Sequence, residues 1–155
     1  MISFRAAPLA FLAFALSLIV GGIAQAATGA ASDWQETDQT KVRLISATTG
    51  TGTAEKLRLG LEFHMIPGWK IYWRSPGDAG IPPRPDWGQS ENLKSAKLAW
   101  PAPERFSVLG IETLGYKKEV VLPIDAVPVE PGKPIAFKAT IPYLTCADIC
   151  IPYTA

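Results

Sequence analysis

Leu57-Arg-Leu-Gly-Leu-Glu-Phe-His64 is the stretch that decides the fold class of this chain. Leu57, Leu59, Leu61 and Phe63 fall on one face, while Arg58, Gly60, Glu62 and His64 fall on the other. Unbroken alternation of this kind marks an antiparallel strand, packed on one side and wet on the other.

Shorter runs of the same character flank it. Upstream, Val42, Leu44 and Ser46 alternate with Arg43 and Ile45, and Thr48–Thr53 reads as a flexible turn. Downstream, Pro67-Gly68 turns the chain into Trp69, Ile71 and Trp73, which alternate with Lys70, Tyr72 and Arg74. Ser75–Pro85 holds four prolines and two glycines and is expected to be a shaped loop that cannot enter a sheet interior. Further strands are expected at Leu93–Trp100, which Pro101 and Pro103 end, and at Phe106–Ile111 and Glu119–Ile124, with Gly115-Tyr116 between the last two. Glu130-Pro-Gly-Lys-Pro134 is a turn. After it, Ile135, Phe137, Ala139 and Ile141 alternate with Ala136, Lys138 and Thr140. Fourteen prolines and thirteen glycines leave no room for long helices. Seven or so short strands separated by turns predict an all-β, immunoglobulin-like β-sandwich.

The N-terminal end reads differently. Arg5, the apolar run Leu9–Val20 and the small residues Ala24-Gln25-Ala26 have the three parts of a secretory signal over residues 1–26. That run of about twelve residues is short of the roughly 20 that span a bilayer as a helix; an uncleaved anchor is the alternative. No cysteine follows the signal directly, so a lipoprotein is not indicated. Residues 27–40 are small and polar apart from Trp34 and are expected to be a flexible lead-in, with one domain over 41–155. A formal net charge of +1 gives no reason to expect nucleic acid as a partner. A single histidine rules out a multi-histidine zinc site within one chain.

The only two cysteines lie in Tyr143-Leu-Thr-Cys-Ala-Asp-Ile-Cys-Ile-Pro-Tyr153. In an exported protein such a pair tends to be oxidised. Yet a ring of about five residues contributes only about 2 kcal/mol by chain entropy. Cys146 and Cys150 therefore fit exchange chemistry better than stapling, with a structural disulfide and metal ligation as the alternatives. Three intervening residues suit a tight turn or hairpin, unlike the helix-borne Cys-x-x-Cys of a thioredoxin. Asp148 between them either accepts a proton, raises the thiol pKa by like-charge repulsion, or serves as a turn residue. Tyr143 and Tyr153 flank the pair and either cover it or belong to the core. Pro152 fits an edge position. His64 and Met65 are weak copper(I) candidates beside the two thiolates.

The run His64-Met-Ile-Pro-Gly-Trp-Lys-Ile-Tyr-Trp-Arg-Ser-Pro-Gly-Asp-Ala-Gly-Ile-Pro-Pro83, with Tyr143–Pro152, resembles the periplasmic N-terminal domain of DsbD-type thiol:disulfide interchange proteins, and most of all the ScsB, suppressor of copper sensitivity, branch. The similarity spans about Val42 to Pro152. It implies an immunoglobulin-like periplasmic domain of protein-disulfide reductase type, needing no cofactor. Cys146 and Cys150 would relay reducing equivalents from a membrane electron-transfer domain, of the same or another chain, to a thioredoxin-like domain or periplasmic thiol-disulfide protein. It also implies a loop capping the cysteines, for which Tyr72 and Trp73 are candidate aromatics, and it favours Cys150 as the attacking sulfur. Family members continue into membrane and thioredoxin-like segments. This sequence stops at Ala155, so the sandwich is expected to lack a strand. A copper-tolerance module and a passive immunoglobulin-like interaction domain are the rival functions.

Overall fold

The computed structural model describes residues 30–155, apart from Thr49 and Leu109. The secretory signal expected over residues 1–26 lies outside the described residues. Ten strands form in chain order: β1 Gln35–Glu36, β2 Thr40–Ser46, β3 Leu57–Met65, β4 Lys70–Gly77, β5 Leu93–Leu98, β6 Glu104–Val108, β7 Ile111–Lys117, β8 Glu119–Pro128, β9 Pro142–Cys146 and β10 Cys150–Thr154. Among the described residues there is no helix. Two five-stranded sheets result, in the orders β1-β2-β3-β8-β5 and β10-β9-β4-β7-β6, with every neighbouring pair antiparallel. This is the expected all-β, immunoglobulin-like sandwich.

The alternating β3 sits at the centre of the first sheet, and its apolar face is the middle of the core. Leu59, Leu61, Phe63 and Met65 are buried there with Val42, Leu122, Ile124 and Ala126 from the flanking strands. The second sheet contributes Ile71, Tyr116 and Tyr143. Phe63 and Tyr143 meet edge to face with ring centroids 5.3 Å apart, joining the sheets. Full burial of a side chain of this size stabilises by roughly 1.5–3 kcal/mol, so this layer is the main source of stability. The buried phenols are satisfied. Tyr116 donates to the Pro101 carbonyl at 2.8 Å, and burial pushes its pKa up to about 12.

Four details depart from the sequence reading. The expected lead-in is tied down from Ala31 onward: Ala31 bridges Ile45, and Gln35–Glu36 pairs with Lys41 and Val42 as an edge strand. The run Phe106–Ile111 is two strands, reversing at Gly110, whose φ of 81° suits glycine. Gly115-Tyr116 is not a connection but the middle of β7, where a Cβ on Gly115 would collide with the Ile71 carbonyl and the Phe106 ring. Finally, residues 135–141 form no regular strand. They keep their alternation, with Ile135, Phe137 and Ala139 against the core, but pair singly, at the bridges Glu91–Ala136 and Asp86–Thr140 and where Ile141 exchanges main-chain bonds with Ala155. Between the two bridges the chain opposite turns at Trp87–Ser90, and the Ser90 hydroxyl, not a main-chain group, bonds the Lys138 amide and carbonyl, so no continuous ladder forms.

Candidate functional site

β9 and β10 form a hairpin in which Cys146 and Cys150 are directly opposed, their α-carbons 4.1 Å apart and their sulfurs bonded at 2.06 Å. Such a close approach belongs to the narrow pairs of an antiparallel ladder, where side chains on one face lie nearest each other. Ala147, Asp148 and Ile149 close the turn, and the Ala147 amide donates to the Ile149 carbonyl at 2.9 Å. The expected hairpin geometry is present.

Strand parity assigns every other residue here to a face. Lys70 is the register partner of Cys146, and Ile71 of Thr145. Ile71 points into the core, so Lys70, Tyr72, Cys146 and Cys150 share the outer face of the second sheet. Tyr72 is nevertheless fully buried. The chain beyond β4 turns back over it: Gly80, at φ 109°, lies so close to the ring that a Cβ there would overlap it. The loop is held along β9 by bonds from the Leu144 amide to the Ile81 carbonyl, 3.3 Å, and from the Arg84 amide to the Pro142 carbonyl, 3.0 Å. This explains why the alternation expected across Trp69–Arg74 fails at Tyr72, which has protein on both sides. The expected loop starts later than Ser75: Ser75–Gly77 still belong to β4, Gly77 pairing with Thr113 beyond a register shift, and the chain that leaves the ladder after Gly77 still reaches β9 through its main chain.

The outcome is an asymmetric pair of sulfurs. Cys146 is completely buried, whereas Cys150 is exposed. The Tyr72 hydroxyl lies 3.9 Å from the Cys150 sulfur, the one side chain of the sequence-predicted set that reaches it. Burial raises the Tyr72 pKa, so the phenol remains a proton donor throughout the range in which a thiol ionises. The Lys70 ammonium lies over the Phe106 ring, 5.1 Å from its centroid, on the side of β4 away from the sulfurs.

Tyr143 and Tyr153 do not cover the disulfide. They are opposed to each other in the hairpin, three positions from the cysteines, and an odd offset puts them on the opposite face. Tyr143 is buried in the core with its hydroxyl 2.5 Å from that of Thr40, and Tyr153 donates to Gln39 at 2.5 Å. Trp73 likewise faces the core rather than the cysteines. Asp148 is exposed in the turn, consistent with the turn reading. The copper candidates are not brought together. Met65 is buried in the core, while His64 lies on the outer face of the first sheet, 3.0 Å from Glu62 and against the Trp34 ring. Burial works against the Glu62 charge there, but hydrogen bonds from Arg43 and His64 outweigh it and hold the carboxyl below its usual range. Among the described residues, no group of three or more histidine, cysteine or acidic side chains could hold a metal ion.

The sequence model of the family described as "Thiol:disulfide interchange protein DsbD, N-terminal" matches residues 35–155. Among solved structures, the N-terminal periplasmic domain of ScsB from Proteus mirabilis is similar, with 34% identity and a TM-score of 0.67. The match covers 83% of this chain and 50% of that one, so this chain spans about half the length of its structural relative. No curated protein matches. With the opposed cysteines, the covered tyrosine and the two-sheet architecture in place, the chain belongs to the family of DsbD N-terminal domains.

Proposed function

We propose that this chain is a periplasmic thiol:disulfide exchange module in which Cys150 meets the partner and Cys146 is the buried, resolving sulfur. The observation that carries the reading is the asymmetry of the pair: one sulfur open to solvent, the other at zero exposure, in a hairpin whose geometry is set by strand pairing. An incoming thiolate forms a bond to the Cys150 sulfur. The Cys146–Cys150 bond breaks, and its electron pair leaves on Cys146, which takes up a proton. A second thiol of the partner then attacks the mixed disulfide and releases Cys150. The partner dithiol is oxidised to a disulfide, and the module gains two electrons and two protons. Run in reverse, the same steps reduce a downstream protein.

The Tyr72 hydroxyl supports this chemistry by donating to the Cys150 sulfur as it becomes a thiolate, since hydrogen bonds to charged groups are the stronger kind. The partners are a thioredoxin-like domain or another periplasmic thiol-disulfide protein on one side. On the other is a membrane electron-transfer domain that supplies the electrons. Export under the residue 1–26 signal places the module in the periplasm.

The test is covalent trapping on non-reducing gels, using a thioredoxin-like domain with one cysteine activated as a mixed disulfide with thionitrobenzoate. Cys146→Ser keeps the exposed thiol and should form the complex. Cys150→Ser, left with the buried thiol, should react at least about tenfold more slowly, a barrier difference of about 1.4 kcal/mol. Equal trapping by both variants, or by neither, would remove the assignment.

A further inference from the structure

We infer that the partner docks through an uncharged, apolar shoulder beside its helix-borne cysteine, seated on Ile81, Leu144, Ile149 and Pro152 around Cys150. This rests on the exchange reading above and specifies what holds the partner while the sulfurs react.

Strand parity puts Pro142, Leu144 and Cys146 of β9, and Cys150, Pro152 and Thr154 of β10, on the outer face of the second sheet. None of the six carries a charge. The outer face of the first sheet is the contrast, with Lys41, Arg43, Arg58, Glu62, His64 and Glu119. A sheet face that meets only water is normally polar in that way. Leu144 and Pro152 are register partners, one repeat along the hairpin from the cysteine pair and about 7 Å from it. Ile81, whose carbonyl accepts from the Leu144 amide, continues this row on the side of β9 away from β10, and Ile149 adjoins Cys150 in the turn. Ile81 and Ile149 are 49% and 65% exposed, two of only six large apolar side chains so exposed among the described residues. Apolar groups gathered beside one another, rather than scattered singly, mark an interaction surface.

The mixed disulfide dictates where the partner must lie. It holds the partner's cysteine α-carbon within roughly 4.4–6.8 Å of that of Cys150. In a thioredoxin-like domain that cysteine opens a helix, and a helix with its side chains is about 10–12 Å across. The helix end therefore lies over Ile149, next to Cys150 in the chain, and over Pro152, next to it on the outer face. Even a small, transient interface covers roughly 600 Å² of each partner, a patch reaching about 14 Å from its centre. Leu144 and Ile81 fall inside it, one and two strand spacings of about 4.8 Å across from Pro152. Water leaves all four residues when the partner seats, which favours apolar partner atoms above them. A charged partner group over the β9–β10 face would lose its hydration and find no counter-charge there. Asp148, exposed at the turn, belongs to the rim of this footprint, and its carboxylate complements the positive end of the incoming helix.

The experiment follows reduction of the oxidised chain by a thioredoxin-like dithiol domain and, in parallel, by dithiothreitol, which is too small to cover the apolar row. The double variant Ile81→Ser/Ile149→Ser removes both exposed isoleucines and brings no charge near the sulfurs. It should slow the protein reductant at least about tenfold and leave dithiothreitol within about twofold. Val129→Ser alters a comparably exposed apolar residue beyond β8, at the end of the sandwich opposite the hairpin turn, and should change neither rate. A double variant reduced by the protein domain at the wild-type rate overturns the docking surface, as does one slowed equally toward both reductants or one matched by Val129→Ser. The relay reading survives each of those outcomes. A wild-type chain inert to the protein domain but open to dithiothreitol removes the relay reading, and the docking with it. Should the double variant fail to fold, methyl NMR of the trapped Cys146→Ser complex decides. The Ile81 and Ile149 methyl groups should show contacts to apolar partner side chains, and their absence overturns the inference.

Discussion

Reducing the Cys146–Cys150 bond should leave the domain folded and cost it little. Chain entropy assigns the ring of about five residues a stabilisation of about 2 kcal/mol at 25 °C. That is a modest share of the 5–15 kcal/mol typical of a domain. The hairpin has other ties that reduction does not touch: five register pairs between β9 and β10, the two bonds between Ile141 and Ala155, the buried Tyr143 and the Tyr153–Gln39 bond. Urea unfolding of the oxidised and reduced chain should give free energies differing by no more than about 2 kcal/mol, with an unchanged slope. A Cys146→Ala/Cys150→Ala chain should lose about 1 kcal/mol more, for the space left by the buried sulfur. A loss above about 4 kcal/mol on reduction, or a reduced chain that melts the hairpin alone, would show that the bond is a structural staple. The reasoning from ring size to exchange would then be refuted.

Three further outcomes are expected. Tyr72→Phe keeps the covering ring and removes the donor near Cys150, so the Cys150 thiol pKa in the reduced chain should rise by about one unit, and alkylation below that pKa should slow accordingly; an unchanged pH profile would leave the hydroxyl without a role. Tyr143→Phe breaks the bond to Thr40 and should cost about 1 kcal/mol in urea unfolding while leaving the exchange rate as it was, since it lies on the opposite face from the sulfurs. Gly115→Ala should cost at least about 3 kcal/mol in thermal or urea unfolding, because the added carbon meets main chain in a central strand, whereas Gly50→Ala, with nothing near it, should stay within about 0.5 kcal/mol of wild type.

Much of the fold was legible because β3 is long, regular and central, so the residue pattern that is easiest to read also organises the core. The cysteine pair was legible because its spacing closes a hairpin. Less legible was Tyr72, whose burial comes from a loop crossing its outer face, a tertiary event that alternation within β4 cannot report. The positions of Tyr143 and Tyr153 were within reach of the sequence. Each stands three residues from a cysteine, and in a strand an odd offset means the opposite face. Residues 135–141 show the reverse failure: a correct periodicity without a ladder, because periodicity reports which face is buried, not whether a partner strand is present. The exposure difference between the two cysteines has no signature in their spacing, since it arises from what the loop covers and where the sheet ends.

The close opposition of Cys146 and Cys150 across paired strands has a kinetic consequence. Because strand pairing rather than the bond sets their separation, the freed Cys146 thiol stays within reach of Cys150 after any attack. Intramolecular reactions held in good geometry can reach effective concentrations of roughly 10⁵ M or more. A thiol that collides with Cys150 and lingers only briefly is therefore expelled as Cys146 closes the ring again, and the encounter leaves no trace. Only a visitor that stays, and carries its second thiol to the mixed disulfide before Cys146 returns, completes the transfer. The hairpin acts as a clock that discards brief contacts, and it sets fidelity by dwell time as well as by fit.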